Sequence, residues 1–228
     1  MNILFVVSSA DIGFWLAELT HPYWHLAERG HKVDFASPAG GKVKIDPTSD
    51  PYSEGSWEAN DLVSKGFLSD KSLAGLLEST IPLKEVRPDD YDAIHIVGGG
   101  GAAVDLYPNE DVARILEHFW SANKVVGAIC HGSIALANTP KHVVGRRATG
   151  FSRAEDAEVE KVYGANFIPN FPQPVMEKAG IEFFHVEPWG LRVVVDGKLV
   201  TGQNQFSASE YAIALNHVLA GETPVIAV

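Results

Sequence analysis

The single cysteine of the chain, Cys130, stands in "VVGAICHGSIALAN" (125–138), where a β-branched apolar run gives way to a stretch of small residues with helical character. A residue held at a sharp strand-to-helix turn is presented as a nucleophile elbow. Gly127, Ala128 and Gly132 are the small neighbours such a crowded turn requires. A thiol at a helix start also meets unpaired N–H groups and the positive end of the helix dipole, both of which favour thiolate. The pattern predicts a thiol reactive at neutral pH, and the competing reading is a small buried apolar residue.

A second group lies in "AIHIVGGGGAAVDL" (93–106), a strand running into four glycines. Gly98, Gly100 and Ala103 formally satisfy G-x-G-x-x-[GA], but a dinucleotide site belongs to a first strand and expects an acid at the end of the next one. Here the next strand ends in Cys130. Gly99, Gly100 and Gly101 fit better as a substrate-binding run whose N–H groups approach an oxyanion, with a plain tight turn as the alternative. The third group is Glu18, at the edge of the apolar face of the first helix. A carboxyl held among bulky apolar side chains has a raised pKa and can shuttle protons, although most helix glutamates are only solvated. Glu18, His21 and His25 fall at i, i+3 and i+7, too far apart for one zinc ion to be shared easily, and no metal site is expected. His118, His142 and His217 read as ordinary helix or loop residues, and "FFHVEPWG" (183–190) is either pocket mouth or edge packing.

These residues need a scaffold, and the apolar patterning supplies one. Strand-like runs recur at 2–9, 31–38, 92–99, 124–130 and 191–202, separated by stretches with helical spacing, the signature of an α/β sheet covered on both faces. In "FWLAELTHPYWHLAERG" Trp15, Leu19, Tyr23 and Leu26 share a helical face that stops at Gly30. Asn109 reads as an N-cap, Ser207 and Glu210 have capping-box spacing, and Asp196-Gly197 signals a hairpin turn. The segment 40–90 is rich in Pro, Gly, Ser and Asp and reads as an irregular excursion, a lid or a subunit contact. The 228 residues are read as one domain, 1–228.

Composition narrows the function classes. A formal charge of −11 opposes binding to nucleic acid phosphates. No apolar run reaches the roughly 20 residues of a membrane span. The opening "MNILFVVSSADIG" reads as a first strand rather than a signal peptide, and one cysteine excludes an intrachain disulfide. The expectation is a cytoplasmic protein with no nucleic acid or membrane partner.

In order, "GFWLAEL" (13–19), "VDFASPAGGKVKIDPTS" (33–49), "DYDAIHIVGGGGAAVDL" (90–106), "VVGAICHGSIAL" (125–136), "ATGFSRAEDAEVE" (148–160) and "DGKLVTGQNQFSASE" (196–210) resemble the ThiJ/PfpI superfamily, the class I glutamine amidotransferase-like proteins. Within it they are similar to the branch of heat-shock chaperones with glyoxalase III activity. The resemblance implies a flavodoxin-like three-layer α/β sandwich with a mostly parallel central sheet and, from the Asp196-Gly197 turn, an antiparallel hairpin. It implies Cys130 as nucleophile, His131 beside it, Glu18 as the helix-borne acid and a third acid after T-G-F at Asp156, with Glu155 as its rival. Where related sequences carry G-G-H-G, this chain has Gly100 in the histidine position, which leaves a larger pocket or one proton donor fewer.

The activity implied is that of a glutathione-independent, cofactor-free glyoxalase III-like lyase of the D-lactate dehydratase type. It would convert methylglyoxal or a related small reactive carbonyl to a hydroxy acid. The same elbow would serve a cysteine-dependent amidase, peptidase or hydratase, and a stress holdase or redox sensor would use Cys130 only for oxidation. The resemblance also implies a homodimer.

Overall fold

The computed structural model describes residues 1–224. Its strands are β1 (Asn2–Val6), β2 (Lys32–Ser37), β3 (Ile81–Pro82), β4 (Ala93–Ile96), β5 (Val125–Ile129), β6 (Arg147–Ala148), β7 (Glu182–Phe183), β8 (Val193–Asp196) and β9 (Leu199–Gly202). Its helices are α1 (Ala17–Ala27), α2 (Leu62–Ser69), α3 (Lys71–Gly75), α4 (Ala102–Asp105), α5 (Glu110–Ser121), α6 (Pro140–Val143), α7 (Arg153–Tyr163), α8 (Pro172–Lys178) and α9 (Ala208–Leu219). The main sheet has the order β3-β2-β1-β4-β5-β9-β8, parallel except for the β8–β9 hairpin, and β6 and β7 pair separately.

The central strands β1, β4 and β5 are buried on both faces, which is why they read as continuous apolar runs without alternation. One apolar cluster, with Ile3, Phe5, Leu19 and Leu215, packs between the sheet and α1 and α9. The other, with Leu4, Ile94, Ile115 and Leu136, packs on the opposite face beneath α5. The expected three-layer α/β sandwich, mostly parallel with an antiparallel hairpin, is the fold.

Several local expectations change. The elbow helix is a 3₁₀ segment, Cys130–Asn138, and it presses so closely on β4 that a Cβ on Gly132 would lie 2.7 Å from the carbonyl oxygens of Ile96 and Val97. Gly127 is small for a different reason from turn crowding: a Cβ there would fall 2.1 Å from the Tyr211 hydroxyl. Asp196 pairs with Leu199, so the hairpin loop is Gly197-Lys198, with Gly197 at φ 61°. Asn109 caps α5 as expected, accepting from the N–H groups of Asp111 and Val112.

Ser207 does not cap α9. Asn204 opens a 3₁₀ turn first, and by Ser207 the chain is already helical, its hydroxyl engaged by the N–H of Arg192 and by Asn204. The true capping box, on the same S-x-x-E spacing, is Ser152 with Glu155 at the start of α7. Segment 40–90 is only partly irregular, since α2, α3 and β3 form within it and β3 extends the sheet at β2. No helix among the described residues is long and apolar enough to cross a membrane.

Candidate active site

Ile129 ends β5 in extended conformation, and Cys130 turns with φ 56°, a left-handed value that costs a non-glycine residue about 1–2 kcal/mol. The turn sends the side chains of Cys130 and His131 to the same side. Sγ of Cys130 lies 3.4 Å from His131 Nδ1, and His131 Nε2 lies 3.0 Å from Asp156 Oδ1. An ionised Asp156 accepts from Nε2–H, which leaves Nδ1 unprotonated toward the sulfur, the tautomer that can receive a thiol proton. Phe151 stacks on the imidazole at 4.2 Å between ring centroids.

The neighbouring acids 155 and 156 are both fully buried but have separate work. Glu155 accepts from the N–H and hydroxyl of Ser152, from the N–H of Trp189 and from Asn204 Nδ2. Every favourable direction around that carboxylate is occupied. Asp156, one residue further into α7, is turned to His131 and its Oδ2 has no partner. Burial raises the Asp156 pKa, with His131 opposing the rise.

Glu18 reaches the opposite side of the sulfur. It is completely buried, and neither carboxyl oxygen has a well-formed hydrogen bond, although the Cys130 thiol and the Gly98 N–H lie close enough to offset part of the cost of burial. Gly98 makes its approach possible, because a Cβ at that position would fall 2.3 Å from Glu18 Oε2 and 2.7 Å from Cys130 Cβ. Burial pushes the Glu18 carboxyl up to about 8. Burial, and then the charge of Glu18, also push the Cys130 thiol well up, while the N–H groups of Gly99 and His131 pull the other way. The elbow therefore does not lower the thiol pKa as the dipole argument predicts. Removing water from the sulfur outweighs the backbone N–H groups, so at neutral pH the Cys130 thiol keeps its proton, while Glu18, titrating near 8, is mostly protonated with a minor ionised fraction able to accept one.

The position of Glu18 in α1 has its own support. Pro22 lacks the N–H that would bond the Glu18 carbonyl four residues earlier in the helix. His95, on β4, supplies the missing donor, with Nε2 2.9 Å from the Glu18 carbonyl oxygen and Nδ1 2.7 Å from the Tyr211 hydroxyl. Burial holds the His95 pKa down to about 4, so the ring is a neutral bridge between helix and sheet. Neither His95 nor Tyr211 is flagged by motif spacing; the apolar strand pattern hides the histidine.

Cys130 is 2 % exposed, yet it forms the floor of a pocket of about 310 Å³ together with His131, Gly99 and Gly100. Gly101 is not part of this lining, since its N–H donates to the Gly13 carbonyl at 3.0 Å and a Cβ on it would meet Ser8 and Gly13. It fixes the loop and cannot hold a substrate oxygen. The 40–90 segment contributes Asp46, Pro47, Thr48 and Trp57 to the wall, and from "FFHVEPWG" only Trp189 reaches it. His21 lies outside this pocket, bonded to Ser209 and Asp61, and His25 lies beside Glu28. His118, His142 and His217 pair with the surface acids Asp89, Glu117 and Glu222. Among the described residues no group of three or more His, Cys, Asp or Glu side chains could hold a metal ion.

A family model described as "DJ-1/PfpI family" matches residues 2–217. The chain is 29 % identical over 223 residues to "Glutathione-independent glyoxalase HSP31" of Saccharomyces cerevisiae, covering 93 % of this chain and 91 % of the relative. The crystal structure of the Rapid Encystment Protein 24 KDa of Francisella tularensis superposes with a TM-score of 0.83 at 31 % identity, over 96 % of this chain and 98 % of the other. Glyoxalase III of Candida albicans shares the fold with a TM-score of 0.78 at 23 % identity, over 96 % and 97 % of the two chains.

Proposed function

The chain belongs to the DJ-1/PfpI family, and from that premise we propose that it is a glutathione-independent, glyoxalase III-like enzyme, hydrating a small 2-oxoaldehyde such as methylglyoxal to the 2-hydroxy acid. The observation that carries this reading is the meeting of Cys130, His131, Asp156 and Glu18 around one sulfur at the floor of a pocket. In the proposed reaction Sγ of Cys130 bonds to the aldehyde carbon as its proton passes to His131 Nδ1. Asp156 steadies the imidazolium that results. The N–H groups of Gly99 and Gly100 line the place where the former carbonyl oxygen takes up charge.

A proton then leaves the former aldehyde carbon and returns at the neighbouring carbon through an enediol. Glu18, titrating near 8, is matched to giving and taking that proton at neutral pH. Water cleaves the thioester, and sulfur recovers its proton. One carbon is oxidised as its neighbour is reduced, so the step balances with water as sole co-reactant.

The reading includes lyase chemistry, a cytoplasmic location and a homodimer. Its test is incubation of the protein with methylglyoxal, following lactate. Turnover lost in Cys130→Ala supports the assignment, and release of ammonia from amides in place of lactate would move it to the amidase alternative.

A further inference from the structure

We propose that the Cys130 pocket is built for an uncharged 2-oxoaldehyde carrying an aromatic group, with the ring seated against the wall formed by Trp57 and Trp189, above the floor at Gly100; this rests on the glyoxalase reading above. The volume is the first observation. The pocket offers about 310 Å³, at the lower end of the volumes of small-molecule sites and more than a three-carbon oxoaldehyde needs.

The walls are the second. From His131 an unbroken series of rings runs to the mouth: Phe151, then Trp189 at 5.8 Å, Trp57 at a further 6.3 Å and Trp15 at 5.9 Å beyond it. Trp57 is 46 % exposed, leaving a broad aromatic face in water at the entrance. An aryl group entering there would cover exposed aromatic surface in a wall already lined by rings, the kind of contact aromatic pairs stabilise.

Gly100 is the third observation. Its three glycine neighbours are compelled by contact: added Cβ atoms would fall 2.3 Å from Glu18 at Gly98, 2.4 Å from the Trp15 nitrogen at Gly99 and 2.5 Å from Ser8 at Gly101. At Gly100 the nearest atoms are Ile12 Cδ1 at 3.0 Å and Cγ1 at 3.5 Å, followed by Ile168 Cγ2 at 3.6 Å, and φ is not left-handed. Backbone geometry does not demand glycine there, and a side chain would have to push aside Ile12, itself part of the pocket lining, so glycine keeps that side of the floor open. The acids lining the pocket are Asp46 and Asp11, the latter paired with Lys44 outside the lining, and no Lys or Arg lines the pocket to receive a carboxylate or phosphate.

The reaction on such a substrate keeps the same balance. The C–S bond forms at the aldehyde carbon, the hydrogen of that carbon leaves as a proton and is returned at the aryl-bearing carbon, and water breaks the C–S bond. An aryl 2-hydroxy acid is released and the thiol is restored.

The test compares kcat/KM of the full chain for phenylglyoxal and methylglyoxal, with mandelate and lactate measured as products. The expected preference for phenylglyoxal is on the order of tenfold or more, the size pockets achieve by filling apolar space. Trp57→Ala removes one wall and Gly100→Leu fills the seat, and each is expected to shrink the preference at least fivefold. Equal or better use of methylglyoxal by the unmodified protein overturns the proposal while leaving the glyoxalase reading intact. A preference unchanged in both variants, each shown to be folded by circular dichroism, overturns the assigned seat. Turnover of neither aldehyde overturns the parent reading, and this proposal with it.

Discussion

Asp156 and Glu18 are both fully buried carboxyls beside the same Cys130-His131 pair, yet one is tied into a hydrogen-bonded relay and the other has no well-formed hydrogen bond. Asp156 gains from His131 much of what it loses by leaving water. Glu18 gains little, and its proton affinity rises to about 8 instead. The difference teaches that the relay side of the site is ordered by geometry, while the Glu18 side is set by the absence of water.

The largest expected effect is on the unpartnered side. Glu18→Gln keeps the shape and removes the titrating proton, and it should lower turnover of the oxoaldehyde by about 10³-fold or more. The same substitution should stabilise the fold. In the unfolded chain Glu18 ionises above its ordinary 4.5, whereas the folded protein holds it neutral up to about 8. Its contribution is therefore fully present below pH 4.5 and is lost as pH rises toward 8, a cost of several kcal/mol by linkage. Thermal melts of the two proteins should coincide near pH 4.5 and separate as pH rises, with Glu18→Gln melting higher. Coincidence at pH 8 would mean that Glu18 is hydrated.

Asp156→Asn tests the relay side and should cost about 10²-fold in turnover, because an amide can turn its NH₂ toward His131 and favour the wrong tautomer. It should leave the alkaline part of the pH–rate profile, which reports Glu18, in place. Glu155→Gln separates support from relay, since it sets an NH₂ against donors and should destabilise by about 2 kcal/mol, seen as a drop of roughly 4–8 °C in Tm. Smallest is Ser152→Ala, about 1 kcal/mol from the lost cap, measured by urea denaturation.

Much of this arrangement was legible in the residues. The continuous apolar runs gave the parallel sheet, and the solitary cysteine after a β-branched run marked the elbow. What escaped was contextual. Two S-x-x-E segments look alike, but Ser152-Glu155 forms the cap and Ser207-Glu210 does not, because only at 207 has an earlier asparagine already started the turn. The thiol pKa went the other way because spacing reveals a helix start but not the loss of water around it. Four consecutive glycines read as one motif, whereas Gly101 braces a loop and Gly100 opens space.

The proline in the first helix has a wider consequence. A gap in the helix ladder at Glu18 is closed from the strand below by His95, so the acid-bearing turn is tied to the sheet as well as to the segment that shapes the entrance, where Leu16 and Thr20 bond Ser49 and Ser64. Entrance mutations that spare Ser49 and Ser64 can change which molecules are admitted while the strand below still holds the proton carrier beside the sulfur.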